Sequence, residues 1–234
     1  MDATIAANLQ SVRSRIDAAA RRAGRDPSLV RLIAVSKTFD PAHVRAAWLA
    51  GQREFGENKV QEALQKIGDT ADMEIRWHLI GHLQSNKVRK AVRAFGCIQS
   101  VDSVGLLRKL DAAAGEVGVS PDVLVQVDLA REETKFGAAA DEARRIVEDA
   151  RAAKAVRLVG LMLIPPWHDD QEQTRPWFRR LYDLRAGWLA DGVPPASLAH
   201  LSMGMSHDFE AAIEEGATLV RVGTAIFGKR TYTG

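Results

Sequence analysis

The 234-residue sequence has a single cysteine, Cys97. A lone thiol cannot close an internal disulfide, so the fold needs no oxidising compartment. Charge of one sign is also lacking: 32 Lys and Arg stand against 30 Asp and Glu, a net charge of +2. That balance gives no case for nucleic acid or a charged membrane surface as partner. No stretch approaches the roughly 20 apolar residues of a membrane span, and the N-terminus has no apolar core of signal-peptide type. A soluble, cytoplasmic protein is expected. There is no Pro/Gly/Ser linker and no low-complexity tract. G-x-G-x-x-G is missing after the first apolar segment, which removes support for a dinucleotide-binding sheet.

What is present is a repeat of short apolar segments and helical patterns. Ile5, Leu9, Val12 and Ile16 are spaced by four, three and four, which predicts an amphipathic helix ending near Gly24. Apolar segments follow at Arg31–Ser36, Arg53–Gly56, Trp77–Gly81, Cys97–Val101, Val123–Leu129, Arg157–Ile164, Ala199–Met203 and Leu219–Gly223. Between them lie stretches with helical spacing, such as Leu106, Leu107 and Leu110, most stopping near a glycine. Strands alternating with helices of 10–15 residues predict βαβ units and a parallel sheet. Eight repeats point to a closed (β/α)8 barrel filling residues 1–234 as one domain, with residues 1–24 as a preceding helix. An open doubly wound sheet is the alternative.

In a barrel the residues just past each strand share one face. Strand one delivers Lys37, in "AVSKTF", where a buried amine is costly unless it is paired or has a task. Ser202, Gly204 and Ser206 lie in a glycine-containing turn before a helix expected from about His207, and Gly223 and Thr224 form a second small turn. Such turns suit a phosphate. An ordinary capped helix, with Ser206 as cap and Glu210 as its partner, is the competing reading. Arg221 stands inside the apolar run "TLVRVGTAIF" and needs an acceptor, in a structural ion pair or a site. A lysine able to form a Schiff base beside a phosphate cradle fits pyridoxal 5′-phosphate (PLP) or a phosphorylated sugar.

The segments "LIAVSKTF", "FGENKVQEALQK", "WHLIGHLQSNK", "IQSVDS", "GLMLIPP" and "LSMGMSHDFEAAIEEGATLVRVGTAIFG" stand in the order found in the pyridoxal-phosphate homeostasis protein family, which the chain resembles from about Leu32 to Phe227. The resemblance implies a single alanine-racemase-like TIM barrel that binds PLP. Lys37 would be the Schiff-base lysine. Ser202, Met203, Gly204, Ser206, Gly223 and Thr224 would hold the phosphate, and Arg221 would face the pyridine nitrogen. Asn58, His78, Ser100 and Met162 would line the ring pocket, with Val35 below it. Lys59, Phe136 and His207 depart from the family pattern, at the rim of the expected pocket.

An arginine opposite the ring nitrogen disfavours a positive ring and weakens the electron sink. Alanine racemases resemble this barrel but add a second domain carrying a tyrosine, and the chain ends soon after Phe227. Tyr182 and Tyr232 are expected in an outer helix and the tail. The reading is therefore a PLP carrier and buffer in vitamin B6 homeostasis rather than an enzyme. It implies indirect effects on amino-acid and keto-acid balance, transient contact with PLP-accepting enzymes, and a monomer. The alternatives are a small PLP-dependent racemase, a Schiff-base aldolase on a phosphosugar, and a regulatory protein that senses PLP. No metal is expected: Gly81 breaks any helix between His78 and His82. "GTAIFGKR" lacks the hydroxyl residue of a nucleotide P-loop. Cys97 reads as packing, "SNKVRKAVR" as a solvated helix face, and Trp167, Trp177 and Trp188 as packing without a ligand.

Overall fold

The computed structural model describes residues 2–130 and 136–229. Residues 131–135 of "REETKFG" and Tyr232 lie outside them. Helix α1 (Asp2–Arg22) comes first. Then strands and helices alternate: β1 (Arg31–Val35), α2 (Pro41–Leu49), β2 (Glu54–Glu57), α3 (Val60–Asp69), β3 (Arg76–Leu79), α4 (Val88–Ala94), β4 (Cys97–Val101) and α5 (Val104–Val117). They continue as β5 (Asp122–Val127), α6 (Ala140–Asp149), β6 (Arg157–Leu163), α7 (Arg175–Ala190), β7 (His200–Ser202), α8 (Phe209–Glu214), β8 (Leu219–Val222) and α9 (Thr224–Phe227).

The eight strands are parallel and close in chain order, with β1 pairing β8 through Leu32↔Val220 and Ile33↔Arg221. The barrel is the architecture that the repeat pattern predicts, and the open sheet is overturned by this closure. β4 matches its apolar segment residue for residue, and the other strands are shorter than theirs or shifted by a residue or two. The sharp starts have local causes. Asp40 accepts from His43 N ahead of Pro41, and Ser103 accepts from Leu106 N, capping α2 and α5. The predicted pairing of Ser206 with Glu210 does not form. Asp208 stands at the start of α8, and Glu210 instead takes a two-pronged bond from Arg15 at 3.0 and 2.9 Å.

The barrel interior is layered. Ile33, Cys97, Leu124, Val159, Met162 and Leu219 form its apolar middle. Burial there pushes the Cys97 thiol up to about 12, so it packs as a hydrophobe. The floor is polar: Arg76 and Arg157 both reach Asp122, and Arg31 lies 3.4 Å from Glu54. At Gly160 a Cβ would come within 2.1 Å of the His200 carbonyl oxygen, so β6 and β7 pair through a residue without a side chain. No helix among the described residues is long and apolar enough to cross a membrane.

Helix α1 buries Ile5, Leu9, Val12, Ile16, Ala19 and Ala20. It joins the outer ring beside α2, α8 and α9 and does not cap the floor. Arg22 pairs with Glu214, and Asn8 donates to the Ile226 carbonyl at 2.9 Å, so the first helix ties down the last. Leu9 is fully buried. Leu9→Ala is expected to destabilise the fold by about 2–5 kcal/mol in urea denaturation; a loss below about 1 kcal/mol would mean that α1 is not part of the core.

Candidate functional site

A cavity of about 540 Å³ opens at the carboxyl ends of the strands, where a barrel places its chemistry. Val35, Lys37 and Phe39 reach it from the first strand and its turn, Asn58 and Ile80 from the second and third, Ile164 and Trp167 from the sixth. Met205, Ser206 and His207 come from the turn after β7, and Arg221, Gly223, Thr224 and Ala225 from β8 and the start of α9. Asn58, Ile80 and Ile164 also border an adjoining cavity of about 590 Å³ that contains Lys59, His82, Lys87 and Phe136.

The turn carrying Lys37 is pinned from below. Ser36 N donates to the Gly56 carbonyl at 3.1 Å and Phe39 N closes the turn onto the Ser36 carbonyl, also at 3.1 Å. Ser36 Oγ donates to Glu57 Oε1 at 2.7 Å. Lys66 Nζ donates to the Ser36 carbonyl at 2.7 Å, to Glu57 Oε1 at 2.8 Å and to Glu62 Oε1 at 3.0 Å. Glu62 Oε1 also accepts from Thr38 N. Thr38 has φ +71°, in the left-handed region that a β-branched residue rarely enters. A strained residue persists where its surroundings over-determine it, and here Lys66 with its three oxygen partners does so. Glu57 is completely buried and Lys66 nearly so. Burial pushes the Glu57 carboxyl above the usual carboxylate range, against the pull of Lys66.

On the neighbouring strand β8, Arg221 is buried, and donates to Ser202 Oγ at 2.7 Å and to the Leu163 carbonyl at 2.8 Å. Burial brings its guanidinium down to about 10, which leaves it charged at neutral pH. Ser206 Oγ accepts from Gly223 N at 3.2 Å and Ala225 N at 3.3 Å, locking the turn after β7 to the start of α9. Gly204 has φ +91°, and a Cβ there would lie 2.6 Å from the Ala212 Cβ. That contact presses the strand-seven turn onto α8. His207 contacts Trp167 with ring centroids 3.9 Å apart and the rings tilted by 42°, and the buried Asp208 behind it has its carboxyl raised by burial.

Of the residues singled out in the sequence, Lys37, Val35, Asn58, Ser206, Arg221, Gly223 and Thr224 come together around this cavity. Six others do not line it. Ser202, Met203 and Gly204 are buried beneath the turn, and Ser202 serves Arg221. His78 and Ser100 are fully buried inside the barrel, and Met162 belongs to its apolar middle. The sequence reading missed Phe39, Ile80, Ile164, Met205 and Ala225, set His207 at the rim, and gave Trp167 only a packing role, although Trp167 is 65% exposed at the cavity. One signal for two of them was available. Ile80 and Ile164 follow His78 and Met162 by two residues, on the same side of their strands and one layer nearer the mouth. The residues chosen were one layer too deep. His82 stacks on Phe136 at 3.8 Å and lies 3.3 Å from Asp102. No cluster of metal-ligating side chains occurs among the described residues.

Residues 7–231 match the family model for the alanine racemase N-terminal domain. The pyridoxal phosphate homeostasis protein of Pseudomonas aeruginosa is 44% identical over 230 residues, covering 98% of this chain and 97% of that protein. Its counterpart in Aquifex aeolicus is 41% identical over 224 residues, covering 96% and 97%. Among solved structures, PipY of Synechococcus elongatus with PLP bound superposes at a TM-score of 0.85 with 42% identity, over 96% of this chain and 100% of that one. An alanine racemase of Clostridium difficile shares the fold at a TM-score of 0.73, with 16% identity and only 58% of its length covered. On this extent of identity and coverage, the chain belongs to the pyridoxal phosphate homeostasis protein family.

Proposed function

We propose that this chain holds PLP in the 540 Å³ cavity as a Schiff base on Lys37, buffers it, and gives it up to amines or to acceptor enzymes. PLP supplies an aldehyde that an amine captures reversibly with loss of water, and a phosphate carrying negative charge. The residues fit such a ligand. The described lining includes Lys37 and Arg221 and no aspartate or glutamate, so it suits an anion. Its volume falls in the usual range for a small-molecule site. At one end Ser206 and Thr224 offer hydroxyls beside the small residues Gly223 and Ala225, which would hold the phosphate. Lys37 stands on the pinned turn after the adjoining strand β1, and Val35 and Ile80 supply apolar walls. Arg221 can only donate hydrogen bonds, so it would meet the ring nitrogen in its unprotonated form. The observation that carries the reading is the convergence of Lys37, Arg221 and the strand-eight turn on one cavity.

Carrier and enzyme differ in whether protons are moved on the bound molecule. A racemase needs an acid or base on each face. His207 in the lining is the observation that favours that second reading, because histidine is the commonest general acid or base. It is held by a tilted ring contact with Trp167 beside Asp208, and no tyrosine among the described residues lines the cavity. The resemblance to the family carries the remainder of the proposal: a cytoplasmic monomer, in transient contact with enzymes that accept PLP.

Two outcomes are expected. Protein incubated with PLP should show a visible absorption band that borohydride bleaches, and peptide mapping should then place the reduced adduct on Lys37; Lys37→Ala should give neither. A colourless wild-type protein would remove the cofactor and return the phosphosugar reading. The second outcome concerns the pinned turn. Lys66→Met strands the buried Glu57 and should cost about 3–5 kcal/mol at pH 7.5. The sign with pH follows from the raised Glu57 carboxyl: its stability is present below the ordinary carboxylate range and lost as pH rises through the raised value. The deficit of Lys66→Met in urea denaturation should therefore shrink between pH 7.5 and pH 5. A deficit independent of pH would contradict the pairing.

A further inference from the structure

A line of polar side chains crosses the barrel from the cavity to the floor. Arg221 donates to Ser202 Oγ at 2.7 Å, and Ser202 Oγ donates to Gln99 Oε1 at 2.6 Å. Gln99 Nε2 lies 3.0 Å from His78 Nδ1, and His78 Nε2 lies 2.9 Å from Glu54 Oε2. The second oxygen of Glu54 faces Arg31 of the floor at 3.4 Å. Ser202, Gln99 and His78 are each 0% exposed.

The two ends fix every hydrogen between them. Arginine only donates, and an ionised glutamate only accepts. Ser202 accepts from Arg221, so its own hydrogen goes to the Gln99 oxygen. The Gln99 amide then turns its NH2 to His78 Nδ1, which must accept. The single remaining imidazole hydrogen sits on Nε2 and goes to Glu54. Flipping the Gln99 amide would demand a doubly protonated His78 and take the acceptor from the Ser202 hydrogen. Complete burial works against that cation and holds His78 below its usual value, with Arg76 and Arg31 acting the same way against Glu54. Burial pushes the Glu54 carboxyl up, but the bond from His78 and the nearby arginines outweigh it and keep it ionised.

We propose that Ser202, Gln99, His78 and Glu54 are positioning residues: one directed chain of hydrogen bonds that orients the Arg221 guanidinium at the cavity and holds His78 as its neutral Nε2–H tautomer. The proposal rests, for the ligand it serves, on the reading that the cavity takes PLP. Ser202 and Leu163 engage two of the N–H groups of Arg221, which has five to donate. The others remain for the cavity. The chain brings no carboxylate next to Arg221, since its one acid, Glu54, is at the floor. The acid that acts on the guanidinium is outside the chain: the buried Asp208, whose carboxyl is raised by burial. Ser202 and His78, which the resemblance placed against the ligand, act on it through Arg221: Ser202 directly, and His78 by way of Gln99 and Ser202.

Nitrogen-15 NMR of the protein without PLP at pH 7 tests the tautomer directly. His78 should show a protonated Nε2 and an unprotonated, hydrogen-bonded Nδ1; an imidazolium or an Nδ1–H tautomer would overturn the chain. Gln99→Glu keeps the size of the side chain but removes the amide donor. It should put a proton on His78 Nδ1, raise the PLP dissociation constant about tenfold and shift the visible band. An unchanged tautomer with unchanged affinity would overturn the proposal. Should that variant fail to fold, Ser202→Ala removes only the hydroxyl next to Arg221, and the same loss of affinity is expected; unchanged affinity would count against it. Failure of the wild-type protein to bind PLP would instead remove the cofactor reading, with the NMR result still deciding the chain.

Discussion

Lys66 is a buried ammonium with three oxygens around it, and the presentation of Lys37 depends on it. Its amine meets the Ser36 carbonyl, Glu57 and Glu62 within 3.0 Å. Taking two charges out of water rarely adds net stability, and a well-packed apolar pair often does as well. What an apolar pair could not do is hold a backbone. The Ser36 carbonyl and the Thr38 amide are each gripped by a member of this group, and Lys37 is the residue between them. The strained Thr38 follows as a consequence, a cost tolerated where it aims a functional side chain.

The same division recurs across the barrel. At the carboxyl ends of the strands the walls are a lysine, an arginine and small turn residues; at the floor, arginines meet Glu54 and Asp122. Barrels separate chemistry and stability between these two faces. In this chain the faces are joined through the interior, because Arg221 is too deep to be solvated and has to be satisfied by protein groups. A neutral hydroxyl, an amide and an imidazole meet that demand without cancelling its charge. On the outside, α1 closes the ring by gripping α8 and α9.

The barrel was legible in the sequence because its cause is periodic. Eight apolar runs with intervening helical spacing leave few other ways to bury so much surface. Lys37 and Arg221 were legible because a charge inside an apolar run demands a reason. The depth of each side chain was harder to read. Alternation along a strand tells which face a residue takes, but not how many layers lie above it. His78 and Met162 were therefore assigned to the cavity when Ile80 and Ile164 stand there. Ser202 and Gly204 were read as ligand groups; in the structure Ser202 accepts from Arg221 and Gly204 lies close against α8. Gln99, Glu57 and Lys66 stand inside the family-like segments, but no role could be read for them there, since their partners lie on other strands and helices. His207 departs from the family pattern, and the structure shows that this departure faces the cavity.

The central claim is that the cavity carries PLP and gives it away without transforming amino acids. The most direct measurement mixes the PLP-loaded protein with the apo form of a PLP-dependent enzyme, following both the visible band of the protein and the activity of the acceptor. The account predicts that the acceptor gains activity as the band on Lys37 declines, and that the protein alone, given L-alanine, yields no D-alanine. Steady racemisation by the pure protein, abolished in Lys37→Ala, would contradict it.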